Sequence, residues 1–233
     1  AAPGNNNNVQ HSSEVEEEIG AILVQFIDAT VSTETTSDFQ ESVDRVMALV
    51  ATFGVRYSTQ VADMVISRAV EFSTVLLERI RGHACILLGK IAKALLDLRK
   101  SAAIAARDNS DIDWAEANLE LIQDALLPRL QDKGQAVRCQ AIDAVGNFFT
   151  VPEDAETYGE ILDALLWNLA HDPSVSNRII AVQSVPVNEK TTDYIIARIR
   201  DVKPKVRAEA LNTLGTKAKA SNMTESQIVG VVQ

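Results

Sequence analysis

The stretch RDVKPKVRAEALNTL (residues 200–214) repeats a frame that occurs twice earlier in the chain, in LQDKGQAVRCQAIDAV (130–145) and HDPSVSNRIIAVQSV (171–185). Each copy has an Asp, five residues, an Arg, two residues, an Ala followed directly by an aliphatic residue, and a second aliphatic residue three positions later. Self-similarity of this kind is typical of stacked helical repeats. It therefore predicts an array that offers a long binding surface rather than an enclosed reactive pocket.

The spacing of the frame sets the size of the repeating unit. Arg138 and Arg178 are 40 residues apart, and Arg207 follows 29 residues later. A fourth copy lacks the Asp but keeps the other positions, which are Arg81, Ala84, Cys85 and Leu88. A unit of about 40 residues is similar to the helix pairs of HEAT and armadillo repeats. We therefore predict an all-α fold, an α-solenoid of HEAT-like helix pairs wound into a right-handed superhelix.

The frame also predicts which side chains join the repeats. A loop Asp can accept hydrogen bonds from the backbone N–H groups that open the next helix. The Arg that follows can pair with the Asp of the neighbouring repeat, and the Ala lets two helices approach closely. The predicted inter-repeat side chains are Asp132, Arg138, Asp172, Arg178, Asp201 and Arg207.

The composition favours a helical, intracellular protein. Of 233 residues, 46% are hydrophobic but only 5% are aromatic, so the core must be aliphatic. Two cysteines do not make a disulfide framework, and we interpret Cys85 and Cys139 as reduced, buried thiols. No stretch approaches the roughly 18 uncharged apolar residues of a membrane span. The amino terminus also lacks the basic-then-apolar order of a secretory signal.

The order of polar and apolar segments predicts three parts. Residues 1–13 are polar and Asn-rich, which predicts a disordered tail. Residues 14–220 form the solenoid, with an insertion or loop at about 99–113, and residues 221–233 start a further helix of a longer protein. Gly54 is predicted to end the second helix. The predicted helices are 14–30, about 38–54, 57–77 as one helix or two, 81–98, 114–130, 135–149, 156–170, 174–185, 190–200 and 204–219.

The charges are segregated along the chain. The net charge is −10, but residues 1–44 hold nine acids and no base, so the rest has 32 − 9 = 23 acids against 22 bases. Residues 79–107 hold seven bases and one acid, and residues 190–219 hold eight bases and three acids. Two basic zones predict either a polyanion partner or pairing with the acidic segment 108–163.

Four segments resemble one family more closely than HEAT repeats in general. They are VDRVMALVATFGVRY (43–57), RIRGHACILLGKIAKALLDL (79–98), LLPRLQDKGQAVRCQAIDAVGNF (126–148) and DPSVSNRIIAVQSVPVNEKTTDYIIARIRDVKPKVRAEALNTLGTKA (172–218). Together they resemble the kleisin-binding, G-type HEAT-repeat subunits (subunit three) of the condensin complex, over about residues 38–220. Asn177, which stands where a repeat usually has Val, and the insertion at 99–113 depart from that pattern.

The resemblance implies a non-catalytic protein without a cofactor or small-molecule substrate. It implies a curved solenoid that clasps the kleisin subunit, and through it joins two SMC ATPases. It also implies that a basic groove holds double-stranded DNA by its phosphates for mitotic chromosome condensation. The implied location is the nucleus and chromosomes, with a cytoplasmic pool, and no membrane contact.

Basic residues at exposed positions are the candidates for DNA contact. Lys203 and Lys205 flank a helix start, where backbone N–H groups also favour a phosphate. Lys90 and Lys93 lie on the outer side of an otherwise apolar helix. Because no aromatic residues alternate with the bases, we expect neither single-strand stacking nor reading of base edges. The predicted DNA-binding residues are Arg79, Lys90, Lys93, Lys133, Arg200, Lys203 and Lys205.

Two other functions stay open from the residues alone. The chain could be a HEAT or armadillo scaffold of another assembly, such as a phosphatase scaffold or transport receptor, without DNA binding. It could also be a HEAT-type enzyme such as a bilin lyase, which needs a pocket with a placed acid or Cys. The histidines His11, His83 and His171 lack metal-ligand spacing, so the sequence predicts no metal site.

Overall fold

The structure is a computed structural model that describes residues 6–32, 37–104, 109–149, 154–217 and Thr224. Every regular element in these ranges is a helix. The helices are α1 (Asn6–Ser32), α2 (Ser37–Tyr57), α3 (Thr59–Ser73), α4 (Glu78–Ile104), α5 (Asn109–Leu126), a 3₁₀ helix (Leu127–Gln131), α6 (Gln135–Gly146), α7 (Asp154–Thr157), α8 (Gly159–His171), α9 (Val175–Ser184), α10 (Thr192–Arg198) and α11 (Pro204–Lys217).

The chain forms two compact units, the amino-terminal unit (Ala1–Ala125) and the carboxy-terminal unit (Leu126–Gln233). In the amino-terminal unit, α1 packs on α3 and α2 packs on α4, and α2 and α4 also pack on α3. The core between them is aliphatic, with Met47, Val65, Leu88 and Leu95 at most 2% exposed. Burial of these side chains is the main force that orders the helices.

The carboxy-terminal unit stacks three frame helices side by side. Helix α6 packs on α9, and α9 packs on α11, while α8 lies against α9 and α10 against α11. The frame alanines Ala141, Ala181 and Ala210 are fully buried. Gly146, at the end of α6, allows a close approach to α9, because a Cβ there would lie 2.9 Å from Cβ of Ser184.

Helices α1 and α2 are longer than the sequence predicts. Helix α1 begins at Asn6, so residues 6–13 are helical where we predicted a disordered tail, and residues 1–5 lie outside the described residues. No Pro or Gly separates Asn6 from Glu14, so nothing interrupts the helix in between. Helix α2 continues through Gly54 to Tyr57. A Cβ at Gly54 would lie 3.4 Å from Val65, so this glycine serves close packing rather than helix termination.

The predicted insertion at 99–113 is mostly helical. Helix α4 continues to Ile104 and α5 begins at Asn109, which leaves only 105–108 outside the described residues. Residues 100–105, KSAAIA, are rich in Ala, the strongest helix former, and this explains why α4 continues beyond the predicted end. The predicted helix at 221–233 lies outside the described residues, apart from Thr224, which is not helical.

Candidate nucleic-acid interface

Each frame Arg holds the loop that precedes its own helix. Its Nη1 donates to the carbonyl oxygen six residues earlier, at 2.8–3.0 Å, a usual length for such bonds. The pairs are Arg81 to Val75 at 3.0 Å, Arg138 to Asp132 at 2.8 Å, Arg178 to Asp172 at 2.8 Å and Arg207 to Asp201 at 2.9 Å. The copy without the Asp therefore keeps the same loop, because the Arg binds main-chain oxygen rather than the Asp side chain.

Each frame Asp binds the backbone N–H of the residue that directly precedes the next helix. Oδ1 of Asp132 accepts from the N–H of Gly134 at 2.8 Å, and Asp172 and Asp201 do the same two residues on, at 2.8 and 2.9 Å. These carboxylates lie at the amino-terminal ends of α6, α9 and α11. They stabilise helix ends whose N–H groups have no partner within the helix.

Two bidentate ion pairs join neighbouring copies of the frame. Arg138 donates through Nε and Nη2 to Asp172 at 2.7 and 3.3 Å. Arg178 donates in the same way to Asp201, with both distances 3.0 Å. The Asp side chains are 1% and 3% exposed and the Arg side chains 13% and 10%, so solvent screens the pairs weakly. We call the six frame side chains, together with the side chains that bind their carboxylates, the ladder; the six are Asp132, Arg138, Asp172, Arg178, Asp201 and Arg207.

The ladder carboxylates stay ionised well below neutral pH. Burial alone would raise the pKa of Asp172, but hydrogen bonds from Arg138, from the N–H of Ser174 and from Asn177 outweigh it and lower the pKa. The pKa of Asp201 is lowered in the same way, against burial, by Arg178 and the N–H of Lys203.

Sequence reasoning missed three side chains of the ladder. Arg129 and Arg198, each three residues before a frame Asp, donate to Asp132 at 3.1 Å and approach Asp201 at 3.5 Å. Asn177, which we noted only as a departure from the repeat, is fully buried and donates to Asp172 at 3.1 Å. The shared offset of the two arginines from the Asp was a signal in the sequence that could have identified them.

Four of the predicted DNA-binding residues lie beside the ladder. Lys133 and Arg200 are adjacent in sequence to frame Asp residues, and Lys203 and Lys205 flank the start of α11; all four are exposed. With the ladder they form the basic edge, which has nine bases and three acids and so a net charge of +6. Its charged residues are Arg129, Asp132, Lys133, Arg138, Asp172, Arg178, Arg198, Arg200, Asp201, Lys203, Lys205 and Arg207.

The other three predicted residues lie in the amino-terminal unit, on α4. Arg79 is exposed and donates to the carbonyl oxygen of Ser32 at 2.9 Å. Lys90 and Lys93 line a cleft of about 230 Å³ between α2 and α4, together with Arg56 and Asp97. Lys90 lies 4.0 Å from Asp44, so acids partly neutralise this cleft. The seven candidates therefore form two sets, of which the basic edge has the larger excess of positive charge.

A larger cleft, of about 480 Å³, lies in the carboxy-terminal unit at the ends of α6, α9 and α11 that are remote from the basic edge. Lys217 lines it and donates to the carbonyl oxygen of Gln183. Burial lowers the pKa of Lys217. Asp143 also lines the cleft, whereas no His or Cys does.

The described ranges contain few His and Cys side chains. No group of three or more His, Cys, Asp or Glu side chains in them could hold a metal ion. Burial raises the pKa of Cys139, and Asp143 and Asp172 raise it further, which disfavours the reactive thiolate. His83 is buried, with Nδ1 3.0 Å from the carbonyl oxygen of Val31. In the part of the chain described, no helix is long and apolar enough to cross a membrane.

The chain is similar in structure to designed helical-repeat proteins. An engineered protein solved by a structural genomics consortium is 18% identical, with a TM-score of 0.55 over 90% of this chain and 85% of that chain. A designed armadillo repeat protein in complex with the peptide (KR)4 is 14% identical, with a TM-score of 0.53 over 91% and 94%. Computationally designed armadillo repeat proteins for modular peptide recognition are 15% identical, with a TM-score of 0.51 over 90% and 85%.

No protein-family model and no curated protein matches the sequence. At the identities of the solved structures, the likeness concerns the fold alone. The predicted all-α helical-repeat solenoid is confirmed.

Proposed function

We propose that the chain is a non-catalytic scaffold that binds the phosphate backbone of double-stranded DNA through the basic edge. The observation that supports this most is the net charge of +6 at three aligned helix starts, in a protein whose overall charge is −10. Helix amino termini and exposed Lys and Arg are the groups that bind phosphate oxygens. The local charge of the basic edge, rather than the overall charge of the protein, decides the contact with DNA, because charges beyond about 8 Å are screened at physiological salt.

The family resemblance extends the proposal to partners and place. On the basis of this resemblance, the chain acts as the HEAT-repeat, kleisin-binding subunit of a condensin complex. The kleisin joins it to SMC ATPases, and the complex acts on chromosomes in the nucleus. The segment 172–218, which carries the resemblance most strongly, also contains most of the basic edge. The proposal needs no chemistry from the chain, since such a subunit contributes a surface.

A second candidate is a peptide-binding scaffold of another assembly, without DNA contact. It is favoured by the structural neighbour that holds the peptide (KR)4. The basic edge would repel such a basic peptide, so peptide binding would use a different surface of this chain.

The test is fluorescence anisotropy with a labelled random duplex of about 30 base pairs, titrated from about 50 mM to about 200 mM salt. We expect micromolar binding that weakens steeply with salt, because four exposed bases neutralising phosphates give a log–log slope of about −3 to −4. Lys203→Glu with Lys205→Glu should weaken binding at every salt concentration and reduce the magnitude of the slope by about 2.

A matched control reverses two lysines that lie outside the basic edge. Lys190→Glu with Lys217→Glu makes the same change in net charge, but Lys190 precedes α10 and Lys217 ends α11, away from the basic edge. The control should retain most of the affinity. Absence of binding at about 50 mM salt, or equal loss in both double variants, would overturn the DNA proposal.

A further inference from the structure

Basic side chains converge in the cleft between α2 and α4 of the amino-terminal unit. The cleft has a volume of about 230 Å³. On each helix the lining residues recur at intervals of three or four positions, so they share one face of that helix. They are Ala48, Thr52 and Arg56 on α2, and Lys90, Lys93, Ala94 and Asp97 on α4.

Two alanines make room for the cleft. Asp44 of α2 and Lys90 of α4 approach to 4.0 Å, and Ala48 and Ala94 each lie four residues further along the same two helices. Four residues are about one helical turn, so the two alanines lie opposite one another. An Ala side chain ends at Cβ, and it leaves open the space that a larger side chain would fill.

The cleft holds more positive than negative charge. Three bases and one acid line it, which gives a net charge of +2, or +1 if Asp44 is counted as well. Among the described residues, neither Arg56 nor Lys93 pairs with a carboxylate, and Asp97 pairs with neither of them. At 4.0 Å, Nζ of Lys90 is too far from Asp44 for a hydrogen bond. The N–H donors of the three bases are therefore available to an anion.

The size and the donors of the cleft suit a single small anionic group. Pockets for drug-sized ligands have volumes of about 300 to 1,000 Å³, so this cleft is smaller than they are. A guanidinium group binds two oxygens of a phosphate through its planar fork, and an ammonium group binds as a point charge. Arg56 supplies the first, Lys90 and Lys93 supply the second, and the exposed hydroxyl of Thr52 adds a donor.

We propose that the cleft between α2 and α4 binds a phosphate monoester. A monoester carries a charge of about −1.5 to −2 at neutral pH, which matches the +2 of the lining. Its terminal oxygens project from the rest of the molecule and can enter a narrow cleft, whereas a phosphate of duplex DNA is a diester with a single charge. The proposal gives Lys90 and Lys93 a ligand other than the DNA that the sequence predicted for them.

The test is titration of the isotope-labelled 233-residue chain with O-phosphoserine, followed by amide NMR chemical shifts. We expect a dissociation constant of about 1 mM or tighter, with the largest shift changes in α2 and α4 beside the cleft. Dimethyl phosphate, a diester with one charge, should bind at least about tenfold more weakly. Acidification from about pH 7.5 to about pH 5.5 should weaken the binding of O-phosphoserine, because its phosphate gains a proton near pH 6.

A double variant tests whether the cleft is the binding site. Arg56→Gln with Lys93→Gln should weaken the binding of O-phosphoserine at least about tenfold. The helical circular dichroism should not change, since both side chains are exposed. The matched control, Arg45→Gln with Lys100→Gln, removes two bases from the same two helices outside the cleft and should bind normally.

A single variant should strengthen binding, which a loss of folding cannot do. Asp97→Asn removes the acid from the lining and raises its net charge from +2 to +3. The phosphate then meets no like charge within the lining. We expect O-phosphoserine to bind several-fold more tightly, and an unchanged or weaker affinity would contradict the proposed position of the phosphate.

A peptide with one central phosphoserine distinguishes the two sources of a phosphate monoester. Tighter binding than that of O-phosphoserine assigns the ligand to a phosphorylated protein, whereas equal binding assigns it to a small phosphate ester; either result supports the site. No binding of O-phosphoserine up to about 10 mM, or equal binding of dimethyl phosphate, would overturn the proposal.

Duplex DNA provides a separate comparison. Arg56→Gln with Lys93→Gln should leave the affinity for duplex DNA nearly unchanged, and a loss as large as that from the reversal of Lys203 and Lys205 would also overturn the proposal. That reversal should not affect the binding of O-phosphoserine. The DNA proposal and this one therefore fail independently.

Discussion

At the scale of single residues, one guanidinium group performs two tasks in two copies of the frame, those of Arg138 and Arg178. Nη1 of Arg178 holds the carbonyl oxygen of Asp172 in its own loop, while Nε and Nη2 bind the carboxylate of Asp201 in the next. Only a planar group with several fixed donors can do both, so Lys could not replace it. The side chain that shapes a repeat therefore also joins it to its neighbour.

Removal of Asp201 should destabilise the chain. Asp201→Ala leaves Arg178 buried without its carboxylate and removes the acceptor for the N–H of Lys203. This should lower the free energy of unfolding by about 3 kcal/mol at pH 7. Urea titration followed by circular dichroism measures the change. The control Asp163→Ala removes an exposed carboxylate of α8 and should cost less than about 0.5 kcal/mol.

The effect should depend on pH with a defined sign. Because the folded pKa of Asp201 lies below its ordinary value of 3.8, its contribution is complete above that value and is lost as the pH falls through the folded pKa. The difference between wild type and Asp201→Ala should stay constant from pH 7 to about pH 5 and shrink below 3.8. A difference that grew on acidification would contradict the assigned direction.

At the scale of helices, small residues set how closely neighbouring frame helices approach. The frame alanines are fully buried, and Gly146 meets Ser184 where α6 packs on α9. Packed interiors yield little to added volume. The helix spacing in the carboxy-terminal unit is therefore fixed by these positions as much as by the large aliphatic residues.

An added methyl group at Gly146 should force α6 and α9 apart. Gly146→Ala should lower the free energy of unfolding by about 1–3 kcal/mol, since its Cβ would lie 2.9 Å from Cβ of Ser184. Ser184→Gly in the same chain should recover part of the loss, and a double-mutant cycle by urea titration measures the coupling. Gly82→Ala is the control: its Cβ meets no atom within 4 Å, so it should be neutral or stabilising.

At the scale of the whole molecule, stability in a repeat array depends on each repeat and its neighbours. The ladder joins α6, α9 and α11 of the carboxy-terminal unit, and the amino-terminal unit has its own aliphatic core. A substitution in one unit should therefore change the protection of amide groups from solvent mainly in that unit. The two units give separate regions in which to observe this.

Hydrogen exchange should resolve the difference between the units. In Asp201→Ala, we expect faster amide exchange in α9, α10 and α11, because the ion pair with Arg178 and the hydrogen bond to the N–H of Lys203 are lost. Helices α2 and α4 should keep wild-type rates. Mass spectrometry after proteolysis measures both regions at once, and equal acceleration in α4 and α11 would contradict local control of stability.

The sequence predicted the fold class because the frame repeats chemistry at fixed spacing. Arg138 and Asp172 belong to successive copies, and the offset between copies brings them together. Boundaries were less predictable where one residue type serves two purposes, as at Gly54, which packs inside α2 rather than ending it. Burial of Asn177 could not be foreseen, since its partner Asp172 was visible only once the loop was folded. The sequence alone also could not predict which Lys and Arg side chains lie beside the ladder, because that depends on how the helices pack.

Each frame Arg holds its loop by binding main-chain oxygen atoms. The first side chain of the loop is therefore not needed to hold the loop in place. This position, five residues before the Arg, holds Lys133 in one copy and Pro173 in another, and all four occupants are exposed. The other two are Leu76 and Val202. Substitutions at these four positions can therefore change the chemistry of the loops while the helices keep their arrangement. Protein design could use the same four positions to place new side chains on the loops.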